Sequence, residues 1–315
     1  MIVVIKWLLG GFAVLLTVSN TSFDPAERGD AGMTVLNSRS YYPEGPIQHR
    51  LGLLYAEMRR DRIMLWDGDR NQEYWVRQGC GPTSIARWQQ DGLIILCHLE
   101  GSIVAIDSQK RPLFTIAENS RGARLVHPND SINDGHGGVF FTDSGVFHPE
   151  APSTGKIYYL SPEADISLRA TGLSYANGIA LLDSKTLLVS EHRARRVLAY
   201  DILQPGVLSG NRIFYELGDL PVRSIQFPDS LTGPDGIDVD GDGNVYICEY
   251  GTGFVHIVSA EGALITRLQT GLPLLTNIAL SSDASHLRLT GSYGTSDPRA
   301  GKVIVMRNPL SELDD

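Results

Sequence analysis

From about residue 34 onward, apolar and polar positions alternate with a period of two, in short runs separated by turn residues. That pattern predicts strands, and no helical period extends beyond the N-terminal segment. The runs also repeat. A turn leading into an apolar strand recurs as EGPI from Glu44, PTSIA from Pro82, PNDSI from Pro128, ANGIA from Ala176, PDGID from Pro234 and TNIAL from Thr276. A second strand follows each, ending at Glu57, His98, Asp143, Glu191, Glu249 and Gly291. Several turns between the two carry Asp-Gly (Asp91-Gly92, Asp134-Gly135, Asp242-Gly243), a hairpin dipeptide whose residues both tolerate positive φ. A third strand (RIMLWD, SIVAID, KIYYLS, RVLAYD, FVHIVS, KVIVMR) and a fourth, such as residues 73–77 or 113–117, complete a unit.

Four antiparallel strands in each of six units predict an all-β, six-bladed β-propeller over residues 34–310. Marked at Glu44, Thr83, Asn129, Asn177, Asp235 and Asn277, the units are spaced by 39, 46, 48, 58 and 42 residues. The longest interval holds an insert at residues 217–231, expected as a loop over the pocket face. The last unit supplies only three strands. Residues 33–37, MTVLN, are expected to add the outer strand that closes the ring and protects an edge.

The N-terminus differs from the rest. Residues 7–18, WLLGGFAVLLTV, follow Lys6 and precede the small polar stretch SNTS. Residues 1–22 read as a signal peptide, which implies export or secretion, or as a membrane anchor if residues 2–5 extend the apolar run. A start placed too far upstream is the third reading and implies a cytoplasmic protein. Residues 23–33 read as a linker and residues 311–315 as a tail.

Charge narrows the partners. Lys and Arg number 27 against 36 Asp and Glu, a net charge of −9, which disfavours nucleic acid and leaves a small molecule as the expected partner. Three cysteines do not make a disulfide framework, and no Cys/His cluster points to structural zinc. A Cys80–Cys97 bridge is not expected, because a short hairpin would not align the two residues.

In a propeller the first residues of the inner strands meet at one mouth of the channel. That ring would hold Glu44, Thr83, Asn129, Asn177, Asp235 and Asn277, with no Lys or Arg. Two carboxylates in a narrow funnel repel unless a cation joins them. An all-oxygen ring suits a hard divalent ion, foremost Ca2+, with Zn2+, Mg2+ or Mn2+ as alternatives. The second-strand ends Glu57, His98, Asp143, Glu191 and Glu249 would lie just outside and orient the inner amides. Asp130 follows Asn129, and alternation turns it away from the channel.

The chain resembles the senescence marker protein / gluconolactonase / regucalcin-like family. The resemblance rests on YYPEGP around Glu44, HPND with Asn129, YANGIALL with Asn177 and GPDGIDVDGDGNVY with Asp235. It implies a divalent metal held by Glu44, Asn177 and Asp235, with Asn129 as a fourth ligand or a substrate contact, and it implies lactone hydrolysis. Sugar-lactone members often carry Arg two residues before that Asn, where this chain has His127.

The expectation is therefore a metal-dependent hydrolase of a cyclic ester, foremost a sugar lactone. Asp235 would be the catalytic base, His127 and Asn129 the substrate contacts, and Glu44, Asn129, Asn177 and Asp235 the metal ligands. Glu57, Thr83, Asp143, Glu191, Glu249 and Asn277 would support them. A phosphotriesterase-like hydrolase on the same site and a non-catalytic, metal-stabilised binding propeller are the rivals. No Gly-x-Ser-x-Gly elbow supports a serine esterase.

Overall fold

The computed structural model describes residues 32–89, 91–218, 227–295 and 299–312. The segments read as signal or anchor (1–22) and as most of the linker (23–33) lie outside them, as does most of the 217–231 insert and of the 311–315 tail. The described residues are all-β, with a few short 3-10 turns. The first strand, β1 (Met33–Tyr41), is followed by a four-stranded antiparallel sheet of β2 (Pro43–His49), β3 (Gly52–Glu57), β4 (Arg62–Trp66) and β5 (Asn71–Val76). The next such sheet holds β6 (Pro82–Trp88), β7 (Gly92–Cys97), β8 (Ser102–Ile106) and β9 (Pro112–Ile116). A third holds β10 (Pro128–Asn133), β11 (Val139–Asp143), β12 (Gly155–Leu160) and β13 (Ile166–Leu173). A fourth holds β14 (Ala176–Asp183), β15 (Thr186–Glu191), β16 (Arg196–Gln204) and β17 (Val207–Glu216).

Two further groups form one larger sheet, joined by the single pairing of Tyr250 with Leu274. One group is β18 (Gly233–Val239), β19 (Val245–Tyr250), β20 (Phe254–Val258) and β21 (Leu264–Gln269). The other is β22 (Leu274–Leu280), β23 (His286–Ser292) and β24 (Ala300–Arg307), with β1 on its outer edge. Thr34 pairs with Val305 and Val35 with Ile304, and β1 runs on to Tyr41, beyond the expected residue 37. The first strands of the groups pack in order, β2 on β6, then β10, β14, β18 and β22, and β22 packs back on β2.

The core lies between neighbouring sheets. Leu54 and Ile63 of one sheet meet Ile95 and Val104 of the next, and Phe140 and Ile157 meet Leu187 and Val189 in the same way. Middle strands are thus covered on both faces, which is why IILC and VFF run apolar without alternation.

One local device recurs. Each first strand carries a one-residue bulge against its partner, after Glu44, Pro82, Pro128, Ala176, Pro234 and Leu275. A bulge breaks alternation, so two consecutive residues can face the same side. The first of the two is Glu44, Thr83, Asn129, Asn177, Asp235 or Thr276. The second is Gly45, Ser84, Asp130, Gly178, Gly236 or Asn277. Glycine is required at some of these second places: a Cβ on Gly178 would run into the Asp235 carbonyl, and one on Gly236 into the Asn277 side chain.

Cys80 and Cys97 form a disulfide, with Cα atoms 4.4 Å apart, contrary to expectation. The hairpin does not end at Pro82. Its pairing continues through His98 N–H to the Gly81 carbonyl and Leu99 N–H to the Cys80 carbonyl, and that folds Cys80 back onto β7.

Candidate metal and substrate site

Glu44, Thr83, Asn129, Asn177 and Asp235 line one cavity of about 140 Å3 at a common end of the first strands. All five are buried. Both threonines at this repeat position act as struts: Thr83 donates to the Asn129 carbonyl at 2.8 Å, and Thr276 to the Pro43 carbonyl at 2.7 Å. Asn129 donates its amide nitrogen to the Ser144 hydroxyl at 2.9 Å, and that hydroxyl donates to the Ala176 carbonyl at 2.6 Å. The relay commits the nitrogen and leaves Oδ1 of Asn129 as the available donor atom. Burial, then Asp235 and Asp130, raise the Glu44 acid well above the usual carboxylate range, while Arg299 pulls the other way. Burial and then Asp130 raise Asp235, against a hydrogen bond from Asn177.

The bulge corrects two expectations together. Asn277 does not belong to the ring, because register aligns Thr276 with Asp235. Asp130 does not turn away. Both occupy the second bulge position and line a separate cavity of about 430 Å3 farther along the channel. There Ser84 donates to Asp130 Oδ1 at 2.9 Å and Asn277 to Oδ2 at 3.3 Å.

The outer carboxylates also behave differently from expectation. Glu57 accepts from Ser40 and Arg62, Asp143 from the backbone of Val126 and His127, Glu191 from Ser174 N–H and Arg196, and Glu249 from Arg195, Thr252 and His256. They pin the loops and neighbouring strands around the inner ring, and Ser144 does the orienting of Asn129.

His127 is absent from the cavity lining, whereas His98 is part of it. The two rings stack with centroids 4.8 Å apart, His127 behind. Register explains the exchange. Cys97, not His98, stands opposite Pro82 in the place that Glu57 takes opposite Pro43. His98 therefore falls one residue later, with Met58, Ser144, His192 and Tyr250, and all of these but Ser144 line the cavity. His98 Nδ1 lies 3.2 Å from the Pro128 carbonyl, which can only accept. Nε2 is then the unprotonated nitrogen, and burial lowers the ring's proton affinity to a pKa of about 3.

Tyr42 and Tyr175 complete the lining with Phe147, Arg59 and Arg299. The tyrosines share one repeat position with Gly81 and His127, two before the ring residue. Both hold left-handed backbone, φ 52° and 64°, where Gly81 also has φ 52°. Such strain costs about 1–3 kcal/mol for a non-glycine residue and persists where the surroundings enforce it. Here it brings two phenols to the cavity. Reading the repeat two residues before and one residue past the paired ends would have found these groups. Arg299 carries no repeat signal, and with Arg59 it brings positive charge to a lining whose inner ring has none.

Residues 42–292 match the family model described as SMP-30/gluconolactonase/LRE-like region, and the chain belongs to that family. Lactonase drp35 of Staphylococcus saprophyticus is 28% identical over 232 residues, 70% of this chain and 64% of that protein. The match thus spans a little less than two thirds of that relative's length. Among solved structures, a gluconolactonase from Xanthomonas campestris superimposes with a TM-score of 0.72 at 22% identity, covering 89% of this chain and 91% of that one. A calcium-binding regucalcin from Agrobacterium tumefaciens does so at 0.69 and 16%, covering 88% and 93%. These two likenesses concern the fold.

Proposed function

We propose that residues 34–310 form a six-bladed β-propeller that hydrolyses a lactone, foremost a sugar lactone, with a divalent metal, foremost Ca2+, at the cavity. The observation that carries this reading is the meeting of Glu44, Asn129, Asn177 and Asp235 in one buried cavity. Family membership and the lactonase relative support the reaction class. The order in which the first strands pack, with β22 back on β2, supports the ring.

The donors fit a hard cation. Among the described residues no three His, Cys, Asp or Glu side chains gather into a metal-binding group. The set is instead two carboxylates and two amides, all oxygen donors of the kind Ca2+ takes. Burial and the neighbouring carboxylates disfavour the ionised form of both Glu44 and Asp235, and a cation held between them would offset that. When bound, such an ion would polarise a lactone carbonyl. Asp235 takes the proton from the attacking water as its oxygen bonds to the carbonyl carbon, and returns it to the ring oxygen as the ester bond breaks. Burial raises its proton affinity, which suits a base. His98 replaces His127 as the proposed substrate contact, its Nε2 accepting from a substrate hydroxyl.

The Cys80–Cys97 disulfide supports an oxidising compartment, hence export. The decisive experiment is a metal-reconstituted panel of aldonolactones, acyl-homoserine lactones and an organophosphate. Turnover of aldonolactones is expected. Turnover of the organophosphate alone would replace the substrate class, and metal binding with no turnover at all would favour a binding propeller.

A further inference from the structure

Each bulge takes backbone groups out of its own sheet's ladder, so buried carbonyls there need donors from elsewhere. For Asn129, Asn177 and Asp235 those donors come from the preceding sheet. Thr83 donates to the Asn129 carbonyl at 2.8 Å, Thr142 to that of Asn177 at 2.7 Å and Ser190 to that of Asp235 at 2.7 Å. One residue earlier in each strand the device repeats. The Pro128 carbonyl meets His98 Nδ1 at 3.2 Å, the Ala176 carbonyl accepts from Ser144 at 2.6 Å, and the Pro234 carbonyl meets His192 Nδ1 at 2.9 Å. All six of these side chains are buried.

The donors follow the proposed metal ligands rather than the repeat. Thr142 and Ser190 stand one residue before the end of β11 and β15, and Ser144 and His192 one residue after it. In β3, ahead of Thr83, the same places hold Ala56 and Met58, which cannot donate. In β19, ahead of Thr276, they hold Cys248, a weak donor, and Tyr250, whose hydroxyl accepts from Tyr42 at 3.3 Å. All six first strands carry the bulge. Satisfying it therefore does not explain why hydroxyls and imidazoles gather ahead of Asn129, Asn177 and Asp235.

The two arms on Asp235 are not equal. His192 Nε2 also lies 3.1 Å from the Leu231 carbonyl, so the single N–H of a neutral ring serves one of two acceptors. Ser190 is fully buried within β15, where it pairs with Val197 on the far side, and its hydroxyl is aimed at Asp235. A carbonyl held from a rigid strand fixes its peptide plane, and with it the direction in which the Asp235 side chain leaves the backbone. A misplacement of about 1 Å at a reacting group costs up to about 10²-fold in rate.

We infer that Ser190 is a positioning residue for Asp235, its hydroxyl aiming the carboxylate at the attacking water, and that Thr142 does the same for Asn177 as a metal ligand. This rests on the lactonase reading and adds two residues to it.

The test compares Ser190→Ala, Ser190→Cys, Ser190→Thr and Thr142→Val in the full chain, with kcat and KM for an aldonolactone and Ca2+ affinity by calorimetry. The repeat itself accommodates Ala56, Cys248 and Thr142 at the Ser190 position. Ser190→Ala and Ser190→Cys should lower kcat at saturating Ca2+ by about 10-fold or more, as is usual when a group that orients a metal ligand is lost, with KM unchanged. Ser190→Thr keeps the hydroxyl and should keep the rate. Thr142→Val should instead weaken Ca2+ binding by about 10-fold or more, and excess Ca2+ should recover its rate. Wild-type kcat in Ser190→Ala, or losses in Ser190→Thr as large as in Ser190→Ala, would overturn the inference. A wild type that binds Ca2+ and opens no lactone would sink the lactonase reading alone. In that case Ca2+ affinity lowered by Ser190→Ala and kept by Ser190→Thr upholds the aiming of Asp235, and equal affinity in both variants overturns it.

Discussion

Asn277 donates to the Asp130 carboxylate at 3.3 Å across the channel, from 147 residues away in the chain. With Ser84 it holds Asp130 where that carboxylate raises the proton affinity of both Glu44 and Asp235. Burial likewise pushes Asp130 up to about 6 from an ordinary value of 3.8.

This environment makes stability depend on pH. A carboxyl raised in the fold contributes stability that is full below its ordinary pKa and lost as pH rises through the folded value. In metal-depleted protein, Asp130→Asn should therefore match wild type near pH 4. By pH 7 it should be the more stable, by up to about 3 kcal/mol, because each pH unit between the ordinary and the folded value is worth about 1.36 kcal/mol. Melting curves of both proteins in chelator across that range check this. A gap that does not widen between pH 4 and pH 7 would remove Asp130 from the electrostatics.

The sequence carried more of the strand pattern than of the site's second tier. Alternation and Asp-Gly turns marked the four strands of each unit, and Glu44, Asn129, Asn177 and Asp235 were legible because they recur at one place. Asn277 and Asp130 were misplaced for a single reason: a bulge puts two neighbours on one face, and strict alternation cannot express that. His98 was confused with Cys97 by the same one-residue ambiguity. Arg299 comes from a segment outside the repeat, so no periodicity pointed to it. The disulfide depended on pairing that continues past the end of the strand.

Metal should act on stability and chemistry together. Added Ca2+ should raise the melting temperature of depleted protein, and more so at pH 7.5 than at pH 5, because Glu44 and Asp235 must lose protons to bind it. Hydrolysis should fall and recover with the same metal titration. Melting indifferent to chelator and Ca2+ at both pH values would exclude a cation at this cavity.

The stacked histidines should separate in kinetics. His98→Ala removes the lining ring and should raise KM several-fold for a hydroxylated lactone. His127→Ala leaves that ring in place and should cost less, through looser packing behind His98. A larger KM effect from His127 would return the substrate contact to that residue.

The Cys80–Cys97 bridge closes a short loop, with a sequence separation of 17 residues. Chain entropy gives such a crosslink about 3 kcal/mol. The double variant Cys80→Ala, Cys97→Ala should be destabilised by about that amount in denaturant unfolding. Reduction with a thiol should mimic it in the wild type and leave the variant unchanged, and equal sensitivity of both proteins would mean the bridge contributes little.

Asp235 and Glu44 are buried carboxylates at the same repeat position, yet they should fail in different ways. Asp235 accepts from Asn177, and burial and Asp130 raise its proton affinity, whereas Glu44 is also moderated by Arg299. Asp235→Asn keeps shape and one oxygen donor but removes charge and basicity. Metal affinity should fall moderately, while turnover at saturating metal should fall by about 10²–10⁴-fold, the usual share of a general base. Glu44→Gln should weaken the metal, and excess metal should restore most of its rate. The measurement is kcat against metal concentration for both variants, with metal affinity taken independently by calorimetry. If Asp235→Asn regains wild-type kcat once the site is full, Asp235 only holds the ion and the base is another group.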